Sequence, residues 1–350
     1  MLWFLLTTGA CNLKCRYCGG SFDSKHSPWS VRYDLAELKC LLSRDPSPVV
    51  FFYGGEPLLN PRFIVEVMDG VRAARWGIQT NGTLARLLPP EYWRRFDVVL
   101  LSIDGVEEVT DFYRGRGVYK AILSALKWLR EEVKCKCEAI ARMTVGRRSD
   151  IYRDVVHLLS LGFDKVHWQL NAVWTDEWGP REFLDWAYSS YLSGIRRLRD
   201  LFVEEAERGR VLGIVPFLGI YRALLFKPFD WVPCGAGRTA FAVNTDGRIL
   251  ACPIAVAEGW AEVGDVKRGL SRPALRLDGR CARCEYKHVC GGRCLYVHYE
   301  RYWGEEGFDA VCRVTKETIK ALEEAAGRLR ELIERGAAPK DLFLYEPTLD

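Results

Sequence analysis

Six short apolar runs alternate with amphipathic stretches along residues 1–209, and this alternation limits the possible folds more than any other feature of the chain. Each run is short enough for a buried strand, and the intervals carry apolar residues three and four positions apart, the spacing of a helix face. Strands that alternate with helices predict an α/β fold with a parallel sheet and right-handed crossovers, here a partial, TIM-like (β/α)6 barrel. The runs end near Thr7, Tyr53, Thr80, Ile103, Val145 and Asn171. The clearest helix face is formed by Tyr119, Ile122, Leu126, Leu129 and Val133.

Polar or cysteine-containing motifs directly follow four of the predicted strands. In (β/α) barrels the reactive groups gather at the carboxyl ends of the strands. We therefore expect the four motifs to open onto one mouth of the barrel. In chain order they are Cys11, Cys15 and Cys18, then Gly54, Gly55, Glu56 and Pro57, then Gln79 to Gly82, and finally Ser102 with Asp104.

The first motif has the spacing C-x3-C-x2-C and predicts a metal centre. Three thiolates on one tight loop can hold three irons of a four-iron, four-sulfur cluster and leave the fourth iron for a non-protein ligand. The alternatives are a zinc loop or three buried thiols, although a structural zinc site normally has four protein ligands.

The cysteine triplet, with Tyr17 just before its third cysteine and a GGEP run after the second predicted strand, resembles the radical S-adenosylmethionine (SAM) enzymes. The resemblance implies that the amino and carboxylate groups of SAM chelate the open iron, that Tyr17 touches adenine, and that Gly54 to Pro57 receives the amino group. It also implies that SAM is cleaved to methionine and a 5′-deoxyadenosyl radical, which takes a hydrogen atom from the substrate.

The same resemblance places Ser102 and Asp104 where the ribose and methionyl ends of SAM are held. An ordinary strand-ending turn is the alternative for this pair. Arg114 and Arg142 are both candidates for pairing the SAM carboxylate, because a guanidinium can grip a carboxylate with two parallel bonds. The spacing does not choose between them.

A second group of cysteines occupies the C-terminal half. Twelve residues separate Cys234 from Gly247, and four more precede Cys252. The run C-x2-C-x5-C-x3-C follows from Cys281, and Cys312 comes last. The pattern resembles the SPASM extension of radical SAM enzymes. It implies that Cys281, Cys284, Cys290 and Cys312 close one auxiliary 4Fe–4S cluster, and that Cys234, Cys252 and Cys294 supply three ligands to another.

A pair of zinc sites is the alternative for these cysteines, because C-x2-C spacing also suits zinc. Asn244 to Gly247 reads as a hairpin turn that carries Cys252 back toward the chain leaving Cys234.

Two departures separate this chain from sulfatase-maturating relatives. Those relatives have an extra cysteine that completes the first auxiliary cluster, but residues 228–233 contain none. The fourth iron of that cluster then either lacks a protein ligand or is bound by Asp230. They also have an aspartate base directly after the cysteine that matches Cys252, where this chain has Pro253. This argues against formylglycine formation by that route.

The predicted organisation is a radical SAM partial barrel over 1–209, a SPASM domain with two auxiliary clusters over 210–312, and a C-terminal helix and tail over 313–350, the helix running from Val314. The predicted function is hydrogen abstraction from a peptide or protein side chain, with three 4Fe–4S clusters, SAM and a low-potential electron donor. The alternatives are maturation of a small cofactor, such as a haem precursor or a quinone, and a non-catalytic iron–sulfur electron carrier.

Composition limits which binding partners and which cellular location we expect for this protein. The net charge of only +4, from 50 basic and 46 acidic residues, does not predict nucleic-acid binding. No apolar stretch approaches the ~20 residues that span a bilayer, and no signal peptide is visible, so we expect a cytoplasmic protein away from membranes. Thirteen cysteines in such a chain indicate metal ligation more than disulfides, with Cys135 and Cys137 as buried thiols. Because Cys11 lies close to Met1, we expect any leader peptide to be recognised by another chain or by the extension.

Overall fold

The computed structural model describes residues 1–172, 175–271, 275–301 and 303–344. The chain divides into two compact units. The first unit comprises residues 1–103, 110–142 and 235–276, and the second comprises 104–109, 143–234 and the chain from 277 onward.

Ten strands form one sheet in the order β10-β9-β8-β7-β1-β2-β3-β4-β5-β6. Strands β1 to β5 pair as parallel neighbours in chain order, and β7 is parallel to β1 on its other side. The pairs β7–β8, β8–β9 and β9–β10 are antiparallel. The parallel sheet with intervening helices confirms the predicted α/β class. The strands are β1 Leu2–Leu6, β2 Val49–Tyr53, β3 Arg75–Thr80, β4 Val98–Ser102, β5 Glu138–Val145, β6 Lys165–Leu170, β7 Ala240–Val243, β8 Arg248–Leu250, β9 Glu262–Asp265 and β10 Gly269–Leu270.

Thirteen α-helices lie in the described part of the chain, and a π-helical stretch, Ala187–Tyr191, connects the seventh to the eighth. The predicted face of the fifth helix is confirmed for Tyr119, Ile122, Leu126 and Leu129, which are buried; Val133 is also buried but lies beyond the end of the helix. The helices are α1 Leu35–Ser43, α2 Pro61–Gly70, α3 Pro90–Trp93, α4 Glu107–Arg114, α5 Val118–Glu131, α6 Ile151–Ser160, α7 Pro180–Trp186, α8 Leu192–Glu207, α9 Val215–Leu225, α10 Gly279–Ala282, α11 Lys287–Cys290, α12 Leu295–Glu300 and α13 Gly304–Glu334.

The C-terminal helix α13 begins ten residues before the predicted start at Val314, and that prediction was wrong. Ala310 and Val311 are buried and continue the apolar face toward the amino end. Glu305 and Glu306 lie in the first turn, where the helix dipole favours negative charge. Cys312 therefore sits inside a helix.

Cys135 and Cys137 are buried as predicted, but they are not free thiols. Their sulfur atoms are joined in a disulfide, with the Cα atoms 5.4 Å apart. The chain turns directly before them, since Lys134 adopts a left-handed conformation with φ of 55°. This turn brings the two side chains together at the start of β5.

No helix in the described ranges is both long and apolar enough to cross a membrane.

Candidate active site

The cysteine loop, residues 11–18, follows β1 through a tightly bonded segment. The Thr7 hydroxyl donates a hydrogen bond to the Pro57 carbonyl (3.0 Å), which ties the end of β1 to the GGEP loop, residues 54–57. Within the loop, the amides of Cys18 and Gly19 both donate to the Cys15 carbonyl (3.1 and 2.9 Å). The result is a compact turn that carries the three thiols of the first motif.

The Cys11 thiol has polar neighbours that suit a metal ligand. The Leu13 amide donates to its Sγ at 3.4 Å. Burial raises the pKa of the Cys11 thiol, the Leu13 amide and the Asn81 side chain lower it, and the charges of Glu56 and Cys18 raise it further. Amide donors to the sulfur are the kind of contact that tunes an iron–sulfur cluster.

The GGEP loop lies directly against the backbone that precedes Cys11. The Gly55 amide donates to the Thr8 carbonyl (3.0 Å), and the Glu56 amide donates to the Ala10 carbonyl (2.8 Å). A Cβ atom at Gly55 would lie only 2.1 Å from the Ala10 carbonyl oxygen. The loop therefore needs glycine here, because the Ala10 carbonyl occupies the space that a Cβ atom would take.

Glu56 anchors the GGEP loop from inside the protein. Its buried carboxylate accepts hydrogen bonds from the Thr80 hydroxyl (2.6 Å) and from the amides of Asn81 (2.8 Å) and Leu58 (3.0 Å). Burial raises the pKa of Glu56 to about 7, while these three donors oppose the rise. Because the carboxylate is committed to the ends of β3 and of its own loop, a cofactor contact in this stretch would come from the backbone.

A ring of polar side chains stands beside Cys11; Asn81 belongs to the predicted motif after β3, whereas Asn12 and Thr83 were not predicted. The Asn81 amide donates to Asn12 Oδ1 (2.9 Å), the Asn12 amide donates to the Thr83 hydroxyl (2.9 Å), and that hydroxyl donates to Asn81 Oδ1 (2.6 Å). The available signal was the position of Asn81 at the end of β3, combined with Asn12 next to the first cysteine.

Tyr17 packs against the end of α4. Its ring centroid lies 5.7 Å from that of Tyr113, and the Arg114 guanidinium carbon lies 5.5 Å from the Tyr17 ring centroid. The Arg16 amide donates to the Tyr113 carbonyl (2.9 Å), which fixes this face of the cysteine loop. The tyrosine before the third cysteine is thus held by a tilted aromatic ring and a cation.

Ser102 and Arg142 are ladder partners on β4 and β5. Side chains that are opposite each other on neighbouring strands lie on the same face of a sheet. The buried Arg114 donates from Nη2 to the Arg142 carbonyl (3.3 Å) and so contacts the same part of β5. Both candidate arginines are therefore close to the strand end that carries Ser102.

Asp104 comes two residues after the end of β4 in sequence, belongs to the second unit and is fully buried. Its Oδ1 accepts a hydrogen bond from the Thr144 amide at 2.8 Å, so its carboxylate positions the backbone of β5.

Tyr53 lies among charged groups and thiols of the first unit, and no motif in the sequence indicated this position. It ends β2 directly before Gly54 and is half-buried. Burial raises the pKa of Tyr53 to about 12; Arg142 lowers it, and the thiolates of Cys252 and Cys18 raise it. Tyr53 therefore stands in the electrostatic neighbourhood of Cys18, Cys252 and Arg142 within the first unit.

The second unit holds a cavity, here named the cysteine cavity, into which five thiols are gathered. Successive tight turns produce this grouping: the Cys284 amide donates to the Cys281 carbonyl (3.4 Å), and the Arg293 amide donates to the Cys290 carbonyl (2.9 Å). Burial raises the pKa of Cys290 to about 11, although Arg293 opposes it. The cysteines that line the cavity are Cys281, Cys284, Cys290, Cys294 and Cys312.

The remaining two cysteines of the extension are placed separately. Cys252 is buried in the first unit just after the β7–β8 hairpin, and Cys234 is half-buried in the second. The predicted hairpin turn is confirmed, because the Asn244 amide donates to the Arg248 carbonyl (2.9 Å) and Gly247 has a φ of 92°.

The thiols are not arranged for a single ion. In the part of the chain that the structure describes, no three His, Cys, Asp or Glu side chains are grouped as ligands of one metal. In a four-iron cluster each thiolate binds a different iron, so its ligands stand farther apart than those around one zinc. The five thiols that line the cysteine cavity are of the ligand type that an iron–sulfur cluster requires.

Residues 5–177 match the family model described as the radical SAM superfamily. The chain carries a radical SAM domain and is a radical SAM enzyme. A "Cysteine-type anaerobic sulfatase-maturating enzyme" of Clostridium perfringens is 23% identical over 335 residues, which is 82% of this chain and 86% of that protein. An "Fe-coproporphyrin III synthase" of Methanosarcina barkeri is 26% identical over 376 residues, covering 89% and 87%.

A similar fold is found in the solved structure "Native anSMEcpe with bound AdoMet and Cp18Cys peptide". It superposes with a TM-score of 0.72 at 19% identity, over 95% of this radical SAM enzyme and 99% of that chain. At this identity the likeness shows the fold alone. It confirms the predicted TIM-like barrel architecture.

Proposed function

We propose that this enzyme binds SAM at the mouth formed by the cysteine and GGEP loops and abstracts a hydrogen atom from a peptide or protein side chain. The observation that carries the proposal is the direct bonding of the GGEP loop to the backbone that leads into the cysteine triplet, with Gly55 packed against the Ala10 carbonyl. When bound, an iron–sulfur cluster and SAM would supply the 5′-deoxyadenosyl radical.

The chain's own residues would bind and orient these groups. Cys11, Cys15 and Cys18 would hold three irons, and Tyr17, fixed by Tyr113 and Arg114, would present a ring face to adenine. The backbone of Gly54 to Pro57 would receive the SAM amino group. Ser102 and Asp104 remain the proposed residues for the ribose and methionyl ends.

Arg142 is the better of the two candidates for the SAM carboxylate. It is the ladder partner of Ser102, so one guanidinium and one hydroxyl from neighbouring strands could meet the same group. Arg114 makes a cation–π contact with Tyr17 and donates to the Arg142 carbonyl, which gives it a supporting role.

The extension would add two auxiliary 4Fe–4S clusters. Cys281, Cys284, Cys290 and Cys312, which line one cavity, would hold the first of these. Cys234, Cys252 and Cys294 would supply three ligands to the other. We retain the predicted division into a barrel over 1–209, an extension over 210–312 and a C-terminal segment over 313–350 as a functional proposal. A low-potential donor in the cytoplasm would deliver the electron.

The peptide substrate is supported by two likenesses. One relative is by name a sulfatase-maturating enzyme, and a solved neighbour of the same fold is described with a bound peptide. A second candidate is maturation of a small cofactor such as a haem precursor, because the similarity to the Fe-coproporphyrin III synthase extends over 89% of this chain.

The test begins with anaerobically reconstituted enzyme, dithionite and SAM, and measures 5′-deoxyadenosine. We expect the native protein to form 5′-deoxyadenosine and the Cys15→Ala variant to form none. If the native protein also forms none, the result favours a non-catalytic electron carrier. A peptide co-expressed with the enzyme is then examined by mass spectrometry. A mass change or crosslink supports the peptide substrate, whereas formation of Fe-coproporphyrin III from an added haem precursor without such a change supports the second candidate.

A further inference from the structure

The charged residues that line the cysteine cavity are all cationic. Lys287, Arg293 and Lys316 line it together with the five thiols, and no Asp or Glu does so among its described lining residues. A cavity with this charge favours a negatively charged occupant over a neutral one. A four-iron cluster held by four thiolates is such an occupant.

Lys316 is the cation with the most defined position. It lies four residues after Cys312 on α13, a spacing that places both side chains on one helix face. Its Nζ is 3.5 Å from a Glu285 carboxylate oxygen and 5.4 Å from the Tyr286 ring centroid. Lys316 is therefore held at the cavity wall by an ion pair and an aromatic face, and its side chain is only 33% exposed.

The thiols and Lys316 influence each other directly. Burial lowers the pKa of Lys316, but the thiolates of Cys284 and Cys312 and the Glu285 carboxylate outweigh burial and raise it. The lysine thus stays protonated and stabilises negative charge at the cavity.

We propose that Lys316 raises the reduction potential of the auxiliary cluster held by Cys281, Cys284, Cys290 and Cys312, an inference that rests on the proposed function. When an external one-electron donor reduces the cluster, the cluster gains one unit of negative charge. A fixed ammonium stabilises the reduced form more than the oxidised form, and partial burial limits its screening by salt. Lys316 is in this sense a tuning residue and contacts no substrate.

The experiment is a potentiometric titration followed by electron paramagnetic resonance (EPR). It uses the full chain with Cys11, Cys15 and Cys18 replaced by alanine, so that only auxiliary clusters contribute signals. The signal lost on adding Cys284→Ala identifies the cluster of interest. If neither the iron content nor any EPR signal depends on Cys284, the proposed ligand assignment is wrong and the inference about Lys316 is wrong as well.

Three further variants then test the lysine. Lys316→Gln should shift the midpoint potential of the Cys284-dependent signal to more negative values, and Lys316→Arg should leave it near that of the parent. The matched control is Lys320→Gln, one turn farther along α13, whose lysine pairs with Glu317 and does not line the cavity. Iron and sulfide are measured for each variant. Equal midpoint potentials for Lys316→Gln and Lys320→Gln, with full cluster content, would overturn the inference.

Discussion

At the scale of single residues, Gly55 decides how closely the GGEP loop can approach the cysteine loop. Its amide and the Glu56 amide bond to the backbone just before Cys11, and these contacts leave no room for a Cβ atom. The glycine is therefore needed to let the GGEP loop lie directly against the backbone before Cys11.

The Gly55→Ala variant should lose most of its SAM cleavage activity. The new methyl group would meet the Ala10 carbonyl, and overpacking of this kind costs about 1–3 kcal/mol. If that cost falls on the SAM-binding geometry, 5′-deoxyadenosine forms about tenfold more slowly or worse. Gly327→Ala on α13 is the matched control, because nothing lies within 4 Å of its Cβ position and its activity should be unchanged. Equal activities for the two variants would contradict the close-approach argument.

Glu56 should make stability depend on pH. Its folded pKa of about 7 lies above the unfolded value near 4.3, so its contribution is present at low pH and is lost as pH rises through 7. The free energy of unfolding should therefore fall by roughly 3 kcal/mol between about pH 4.5 and pH 7, relative to Glu56→Gln. Urea unfolding of both proteins at pH 5 and pH 8 measures this difference. A difference that is independent of pH, or that grows with pH, would contradict the burial argument.

At the scale of helices and strands, the sequence predicted where the strands end better than it predicted which distant strands pair. The six predicted strand ends lie within one residue of the observed ends of β1 to β6, because apolar period and turn chemistry are local signals. The parallel pairing of β7 with β1 was not predicted, since Ala240–Val243 finds its partner more than 230 residues away in sequence. Hydrophobicity alone does not say which edge a strand will join.

In the candidate active site, too, local motifs were predictable from the sequence and long-range contacts were not. The cysteine and GGEP loops were recognisable from spacing, and the structure brings the GGEP loop against the chain that leads into the cysteines. The interior bonding of Glu56 and Asp104 and the nearness of Tyr53 to Cys18 and Cys252 depend on tertiary packing, which no motif encodes.

Helix α13 should contribute strongly to the second unit through its buried face. Leu322 is fully buried there, and removal of a buried leucine side chain typically costs about 2–5 kcal/mol. We expect Leu322→Ala to lower the urea midpoint clearly, whereas the exposed neighbour Glu323→Ala stays within about 0.5 kcal/mol of the parent. Circular dichroism of both variants provides the measurement. A small effect of Leu322→Ala would mean that α13 packs less tightly than described.

At the scale of the whole molecule, the cysteines should divide into independent metal centres. Replacing Cys11, Cys15 and Cys18 by alanine should remove about four irons per chain and abolish 5′-deoxyadenosine formation. Replacing Cys281, Cys284, Cys290 and Cys312 should also remove about four irons, while the N-terminal centre persists. Cys40→Ala, which alters an exposed cysteine outside both groups, should change neither quantity. Zinc in place of iron in the parent protein would contradict this assignment.

The central claim is that the N-terminal triplet leaves one iron available to SAM. The most direct measurement is EPR of the dithionite-reduced enzyme with the cysteines of both auxiliary groups replaced, recorded with and without SAM. We predict a 4Fe–4S signal that depends on Cys11, Cys15 and Cys18 and changes shape when SAM is added. A signal that SAM leaves unchanged, or a zinc-loaded and EPR-silent triplet, would contradict the account.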